Sequence, residues 1–396
     1  MDSLYKLKLM KIIFSILISL LCIFNYTQTI ITGKVIDKNT GLPIEGVEIT
    51  TLDSNKNFTN SEGKYYLYYT GGVINFNHLY YQDKEISDIK DHTTISLTPL
   101  EMTDIDEIVV KSPKLIVEEA FKEMKNNYVL FPYSESFFLR GTIKQNNELL
   151  RIVDLTGQIH RKTSFLTSTI KKNKYKASVS NIRKAGKVFS SNKIEYFRLF
   201  TLKEILYRAT LIGIEYKNYN FYKGENIDSL YTKIYFTAKE NTNNPREGFY
   251  IINNTDNAIL SVYYHSKNDR NSGLPFTSKY GFKWRVMNYN IAISYSYNSS
   301  LKKYTQSNCV FKYNVELFDR NNKRTVYDLD YQLLLSNPTT SDITSNTSVT
   351  KEIFKIEGAY NEEFWKKQNQ LLLTEEMKKF INSLQDNKEY KAILSK

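Results

Sequence analysis

The sequence predicts a mainly β protein with some α. A small N-terminal β module precedes an α+β region built on one large antiparallel sheet covered by helices. Three observations carry this reading. The module opens with Ile31-Thr32-Gly33-Lys34-Val35-Ile36-Asp37-Lys38-Asn39-Thr40-Gly41-Leu42-Pro43-Ile44-Glu45-Gly46-Val47-Glu48-Ile49, a strand, an Asn-Thr-Gly turn and a second strand. Far downstream, three long stretches alternate between apolar and polar residues. Met287, Tyr289, Ile291, Ile293, Tyr295 and Tyr297 face away from Asn288, Asn290, Ala292, Ser294 and Ser296. Cys309, Phe311, Tyr313, Val315 and Leu317 oppose Lys312, Asn314 and Glu316, and Tyr327, Leu329, Tyr331, Leu333 and Leu335 oppose Asp328, Asp330 and Gln332. Period-two alternation on successive strands means a sheet with one dry and one wet face. Third, apolar residues recur at helical spacing between the module and the sheet.

At the N-terminus, Lys6, Lys8 and Lys11 flank an apolar run over residues 12–24. That run is shorter than the ~20 apolar residues that span a bilayer and has the layout of a secretory signal peptide. Residues 1–27 are therefore predicted to be a leader cleaved before Gln28, with an uncleaved anchor as the alternative. Cys22 follows Leu21, where a lipidation site wants a small residue, so lipidation is not expected. Export leaves Cys309 alone in the mature chain, where it cannot form an intramolecular bridge. Its alternation with Phe311 and Tyr313 marks a small buried apolar group rather than a reactive thiol.

The module is predicted over residues 28–111. Asn60-Ser61-Glu62-Gly63 turns into the strand Lys64-Tyr65-Tyr66-Leu67-Tyr68-Tyr69, Gly71-Gly72 turns again before residues 73–76, and a strand follows over 94–98. The order Gly33-x-Val35-x-Asp37-x-x-Thr40-Gly41-x-Pro43-Ile44-x-Gly46-Val47 resembles the carboxypeptidase-regulatory-like domain, a transthyretin-like β-sandwich common in Gram-negative envelope proteins. Asp104-Ile105-Asp106-Glu107-Ile108-Val109-Val110 resembles the segment that closes this domain in TonB-dependent outer-membrane proteins. One departure is the absence of glycine beside Tyr80-Tyr81, where the family has Gly-Tyr. The resemblance covers about a fifth of the chain and implies a docking module and an envelope location, not a reaction.

Residues 112–396 form the α+β region. Ser112-Pro113 starts a helix in a favoured way, and Val117, Ala120, Phe121, Met124 and Tyr128 line one of its faces. Strands are predicted over 136–143, 149–160, 230–238, 248–252 and 258–265. Thr201-Leu202-Lys203-Glu204 is a capping box for a short helix to Ala209. A C-terminal helix pair over 361–369 and 374–384 carries Phe364, Trp365, Met377, Phe380 and Ile381. These helices are the candidates to cover the dry face of a strongly curved, half-barrel sheet. The hairpin Gly248-Phe249-Tyr250-Ile251-Ile252-Asn253-Asn254-Thr255-Asp256-Asn257-Ala258-Ile259 resembles the periplasmic lipoprotein-carrier fold, a likeness of fold alone.

A zinc carboxypeptidase needs histidines and a close carboxylate on the metal. The residues three positions after His78, His92, His160 and His265 are Tyr81, Ile95, Thr163 and Asn268, so no ligand pattern arises. Nucleophile-elbow, phosphate-loop and dinucleotide patterns are also absent from the sequence. Asp104, Asp106 and Glu107 read as a solvated linker, without the glycine of a calcium loop. No catalytic residue, metal or cofactor is expected.

One charge anomaly stands out in a chain of 396 residues and net charge +12. No acidic residue lies between Asp154 and Glu195, where Lys171, Lys172, Lys174, Lys176, Arg183, Lys184 and Lys187 fall. In an exported protein such a tract meets lipopolysaccharide phosphates, acidic glycans or an acidic partner, not nucleic acid; a solvated face is the plain alternative. The expected function is thus a non-enzymatic envelope protein, membrane-peripheral at most, with a β-sandwich docking module and a scaffold or binding domain. The alternative is a periplasmic carrier whose apolar or lipid ligand lies on Tyr289, Ile291, Ile293, Phe311, Tyr313, Leu329 and Tyr331. An outer-membrane barrel is disfavoured by the lysines and arginines along the strands and by a helical C-terminal segment.

Overall fold

Asp37 closes the first turn by accepting hydrogen bonds from the backbone N–H groups of Asn39 and Thr40, at 2.8 and 2.7 Å. The same carboxylate accepts the Tyr81 hydroxyl at 2.8 Å. Gly41, Gly46 and Gly63 adopt positive φ here, and at Gly63 a side chain would lie 2.4 Å from the Val35 carbonyl. The turn chemistry legible in the sequence therefore has a backbone reason.

The structure is a computed structural model. It describes residues 29–51, 56–78, 80–99, 112–162, 174–187, 199–209, 216–226, 230–240, 242, 245–267, 274–279, 281–368, 370–384 and 390–393. The predicted leader and the acidic segment 104–107 lie outside them. The N-terminal strands are β1 (Thr29–Asp37), β2 (Glu48–Thr50), β3 (Lys56–Phe58), β4 (Lys64–Tyr69), β5 (Ile74–Asn77), β6 (Lys84–Ile86) and β7 (Thr93–Leu97). They form a 3-stranded sheet, β4-β1-β7, and a 4-stranded sheet, β3-β2-β5-β6. Val35, Leu67 and Leu97 from one sheet and Ile49, Ile74 and Phe76 from the other bury one shared core, which makes the pair a sandwich.

The remaining elements are α1 (Pro113–Asn127), β8 (Tyr133–Gln145), β9 (Glu148–Arg161), β10 (Tyr175–Lys187), α2 (Leu202–Arg208), β11 (Tyr219–Asn226), β12 (Tyr231–Ala238), β13 (Arg246–Asn253), β14 (Ile259–Ser266), β15 (Thr277–Lys279), β16 (Phe282–Asn298), β17 (Lys303–Phe318), β18 (Arg324–Thr339), α3 (Glu362–Lys367), α4 (Glu375–Ser383) and β19 (Tyr390–Ile393). They build a 12-stranded sheet in the order β11-β12-β13-β14-β16-β17-β18-β8-β9-β10-β19, with β15 on β16. Its pairings are antiparallel, and β11 and β19 are its two ends, so the sheet is open rather than a closed barrel. Strands β3, β6, β10, β11, β15 and β19 are not among those the sequence predicts. The basic tract contains β10, whose alternation is broken by a register shift between Val179 and Asn181. β11 is short and polar, and β19 follows the last helix and pairs with β10.

α1 begins at Ser112, whose hydroxyl accepts from the Leu115 N–H, with Pro113 in the first turn. α2 has the predicted capping box between Thr201 and Glu204. Both helices lie on the dry face: Val117, Ala120, Met124, Leu202, Ile205 and Leu206 share one core with the strand residues. The C-terminal pair does not join them, which corrects the predicted cover. Trp365 packs with Phe138, Leu334, Leu371 and the sandwich residue Phe58, while Ile381 and Leu384 pack on Ile152 and Ala185. The reason is local. Phe137-Phe138-Leu139 and Leu333-Leu334-Leu335 are apolar in both strand phases, so the second face also has a dry patch, and α3, α4 and the sandwich bury it.

Contacts on that second face tie the sandwich down. The Phe58 N–H donates to the Gln370 carbonyl at 2.8 Å, Lys64 reaches Glu375 at 2.9 Å and Lys56 donates to Ser296 at 3.0 Å.

Candidate functional site

Arg208 and Arg246 bring positive charge to the dry face without a carboxylate, unlike the fully buried Arg161, which pairs there with Glu135 at 2.7 Å. Arg208 is the last residue of α2, where the negative end of the helix dipole favours a positive charge. Leu202, Ile205 and Leu206 fix the orientation of that helix, and the Arg208 guanidinium comes to lie 4.5 Å from the Phe200 ring and 5.5 Å from the Tyr313 ring. Arg246 opens β13 in phase with the buried Tyr250 and Ile252, so its side chain starts on the core side. Its guanidinium is 5.1 Å from the Tyr264 ring. A run of tyrosines joins the two: Tyr264 to Tyr289 at 6.4 Å between ring centres, and Tyr289 to Tyr313 at 5.8 Å. Phe200 extends it to Tyr331 at 5.3 Å.

The polar atoms of this cluster are not used up. The Nε atoms of Arg208 and Arg246 and the Tyr264 hydroxyl are buried without a hydrogen-bond partner, while the Arg208 guanidinium faces the Tyr313 hydroxyl and that of Arg246 faces Tyr289. Among the described residues no carboxylate pairs with either guanidinium. Tyr264 and Tyr313 are only 2% and 6% exposed, and a buried polar group without a partner costs about 1–3 kcal/mol, more when charged. Burial pushes the Tyr313 hydroxyl up to about 12 and Tyr264 up as well, so both are proton donors at neutral pH. Burial disfavours the Arg246 charge, but Tyr264, Tyr289 and Tyr219 outweigh it and its pKa is raised. Two fixed positive charges and neutral O–H donors converge in a low-dielectric place, an arrangement suited to a buried anion. Beside the cluster, Phe221, Trp284, Val286 and Tyr327 are apolar and only partly buried.

The apolar residues predicted to face a ligand are brought together, and all are core. Tyr289, Ile291, Ile293, Phe311, Tyr313, Leu329 and Tyr331 are each 6% exposed or less. Cys309 among them is buried, which raises its thiol pKa. Of the predicted basic tract, the described residues are in part paired within the chain. Lys176 pairs with Asp342, Arg183 pairs with Asp154, and Lys184 donates to the Ile356 carbonyl. Lys174 is exposed, Lys187 ends β10, and Lys171 and Lys172 lie outside the described residues. Sequence reasoning passed over Arg208, Arg246 and Tyr264. The available signal was the strand phase of Arg246, a cation where the alternation calls for an apolar residue.

No family model and no curated protein matches the chain. Among solved structures, one described as lipid–protein interactions in lipovitellin is similar at 11% identity and TM-score 0.23, over 55% of this chain and 26% of that one. The chain thus spans about a quarter of the length of that protein. A domain provisionally named as an outer-membrane lipoprotein-sorting protein, from Vibrio parahaemolyticus, is similar at 9% identity and TM-score 0.27, over 59% of this chain and 94% of that one. Both are distant likenesses.

Proposed function

We propose that the protein is a non-enzymatic binding protein of the cell envelope, and that its large sheet holds an anionic amphiphile. The single observation behind this is the pair Arg208 and Arg246, two partly buried arginines whose Nε atoms are buried and unpartnered, set among the hydroxyls of Tyr264 and Tyr313. The head group, a carboxylate or phosphate, accepts from these donors. Its apolar chain lies along Phe221, Trp284, Val286 and Tyr327, whose partial exposure gives it a dry path outward. The export expected from residues 6–24 places this binding in the periplasm or at the outer membrane, and the sandwich serves as the docking module. No helix among the described residues is long and apolar enough to cross a membrane.

The test is titration of the full chain with a fluorescent fatty acid and with dodecyl phosphate. Binding is expected, and Arg208→Gln and Arg246→Gln are each expected to weaken it at least about tenfold, the value of 1.4 kcal/mol at 25 °C, with circular dichroism unchanged. The second reading, a scaffold, is favoured by the near-complete burial of Ile291, Ile293 and Phe311. No uptake of either probe, together with a mass free of co-purified lipid in native mass spectrometry, would establish the scaffold instead.

A further inference from the structure

The opposite face of the sheet carries a second, independent feature. Residues in register on four neighbouring strands place Tyr222 opposite Tyr235, Tyr235 opposite Phe249, and Phe249 opposite Tyr263. Strand phase puts all four on the face away from the main core, because Phe221, Phe236, Tyr250 and Tyr264 beside them point into it. At ~4.8 Å per strand the rungs extend over about 14 Å. Tyr222 and Tyr235 are 53% and 41% exposed. Phe249 stacks on Tyr263 at 5.3 Å, and Lys233 is held 4.3 Å from the Phe249 ring and 4.8 Å from the Tyr235 ring. From the sandwich, Tyr80 closes one side with its ring 5.9 Å from Phe249.

The ladder runs into a cleft. Tyr263 is followed by His265, which pairs in register with Asn290, then Lys312 and Asp330. Here an open cleft of about 470 Å³ is lined by Asn288, Asn290, Asn314, Asp328, Asp330 and Lys312, among others. Asn314 donates to Asp328 at 2.8 Å, and Glu45 of the sandwich reaches Lys312 at 3.4 Å. Side-chain amides, which both donate and accept, stand beside acceptor carboxylates, with Lys312 and Lys144 offsetting the charge of Asp328 and Asp330.

We infer that this face binds a neutral oligosaccharide, the aromatic rungs stacking on sugar rings and the cleft hydrogen-bonding their hydroxyls. An aromatic face carries negative charge density and attracts the C–H face of a sugar ring, while leaving the ring edge free for polar contacts. Adjacent hydroxyls both donate and accept, which matches amide–carboxylate pairs such as Asn314 with Asp328. A polyanion meets Asp328, Asp330 and Glu45, and an apolar chain would strip water from the amides without replacing their hydrogen bonds. Neither fits this chemistry as a polyhydroxyl chain does.

The experiment uses the full chain in isothermal titration calorimetry with hexamers of β-1,4-glucose, α-1,4-glucose, α-1,6-mannose and β-1,4-N-acetylglucosamine. At least one is expected to bind, insensitively to salt. Tyr222→Ala and Tyr235→Ala remove exposed rungs that the main core does not use, so both variants keep the fold. Each is expected to weaken binding about fivefold or more, and Asn290→Ala to do likewise. Fatty-acid titration of the same variants stays unchanged, because Arg208 and Arg246 are on the other side of the sheet. Silence toward all four sugars overturns the inference, as does wild-type affinity in Tyr235→Ala. Binding seen only with heparin and lost in salt, or only with polar peptides, overturns it too.

Discussion

Asp154 accepts both Nε and Nη2 of Arg140, at 2.8 and 3.0 Å, from the directly opposite position on the adjacent strand. Arg140 is 5% exposed and Asp154 fully buried. Arg183, opposite Asp154 on its other side, adds a second guanidinium contact at 3.1 Å and lies 4.6 Å from the Trp365 ring. Arg140 also donates to the carbonyls of Leu372 and Leu371 at 2.7 and 3.2 Å. One carboxylate thus holds two cations in place, and one of them holds the segment between α3 and α4.

Asp154→Asn is expected to be strongly destabilising. It removes the partner of two buried guanidinium groups, and breaking a buried ion pair on one side costs about 3–5 kcal/mol. Urea denaturation of the variant checks this. Arg140 and Arg183 hold the Asp154 carboxyl below its ordinary value against the opposing effect of burial. Its contribution is therefore present above the unfolded value of ~3.9 and lost as pH falls through the lower folded one, so the variant's deficit should shrink in strong acid.

His78 gives a different pH window. Burial lowers its pKa from 6.5 to about 4, and its Nδ1 accepts the Tyr80 N–H at 3.3 Å, a bond the neutral ring makes. A depressed imidazole pKa means the unfolded chain binds the proton more readily. Stability is therefore full above ~6.5 and declines as pH falls toward about 4, by about 2 kcal/mol after allowing for partial exposure. Thermal melts at pH 7 and pH 4.5 should differ less in His78→Gln than in the parent; an equal difference would count against this account.

Ile293 is fully buried in the middle of the sheet core. Ile293→Ala is expected to cost roughly 2–5 kcal/mol, as large-to-small core substitutions do. Denaturant midpoints measured with and without fatty acid separate this packing loss from any effect on binding.

Cys309 has no exposed surface, and burial raises its thiol pKa. Alkylation of Cys309 by iodoacetamide at pH 8 should be slow in the native protein and follow the unfolding rate as urea is added. Fast modification of the folded chain would show that the site opens locally.

Tyr289, Ile291 and Ile293, with their partners on β17 and β18, show what local pattern determines. Alternation assigned them to one face before any pairing was known, because successive side chains on a strand point to opposite sides. The helix starts at Ser112-Pro113 and Thr201–Glu204 were legible for the same reason: a cap depends on atoms within one turn. β10 was not, since lysine, arginine and serine dilute its apolar phase and a bulge shifts it. The candidate site was legible only in part. Which side α3 and α4 would cover depended on Phe138 and Leu334 meeting Trp365 and Phe58 across the fold. Arg208 and Arg246 come from a helix and a strand whose approach no local periodicity encodes, and the rungs from Tyr222 to Tyr263 align only through interstrand register. Propensity and alternation act between neighbours in sequence, so they determined the elements and their faces; burial and charge act between neighbours in space, so the tertiary structure alone decided which faces met and where the unpaired charges were left.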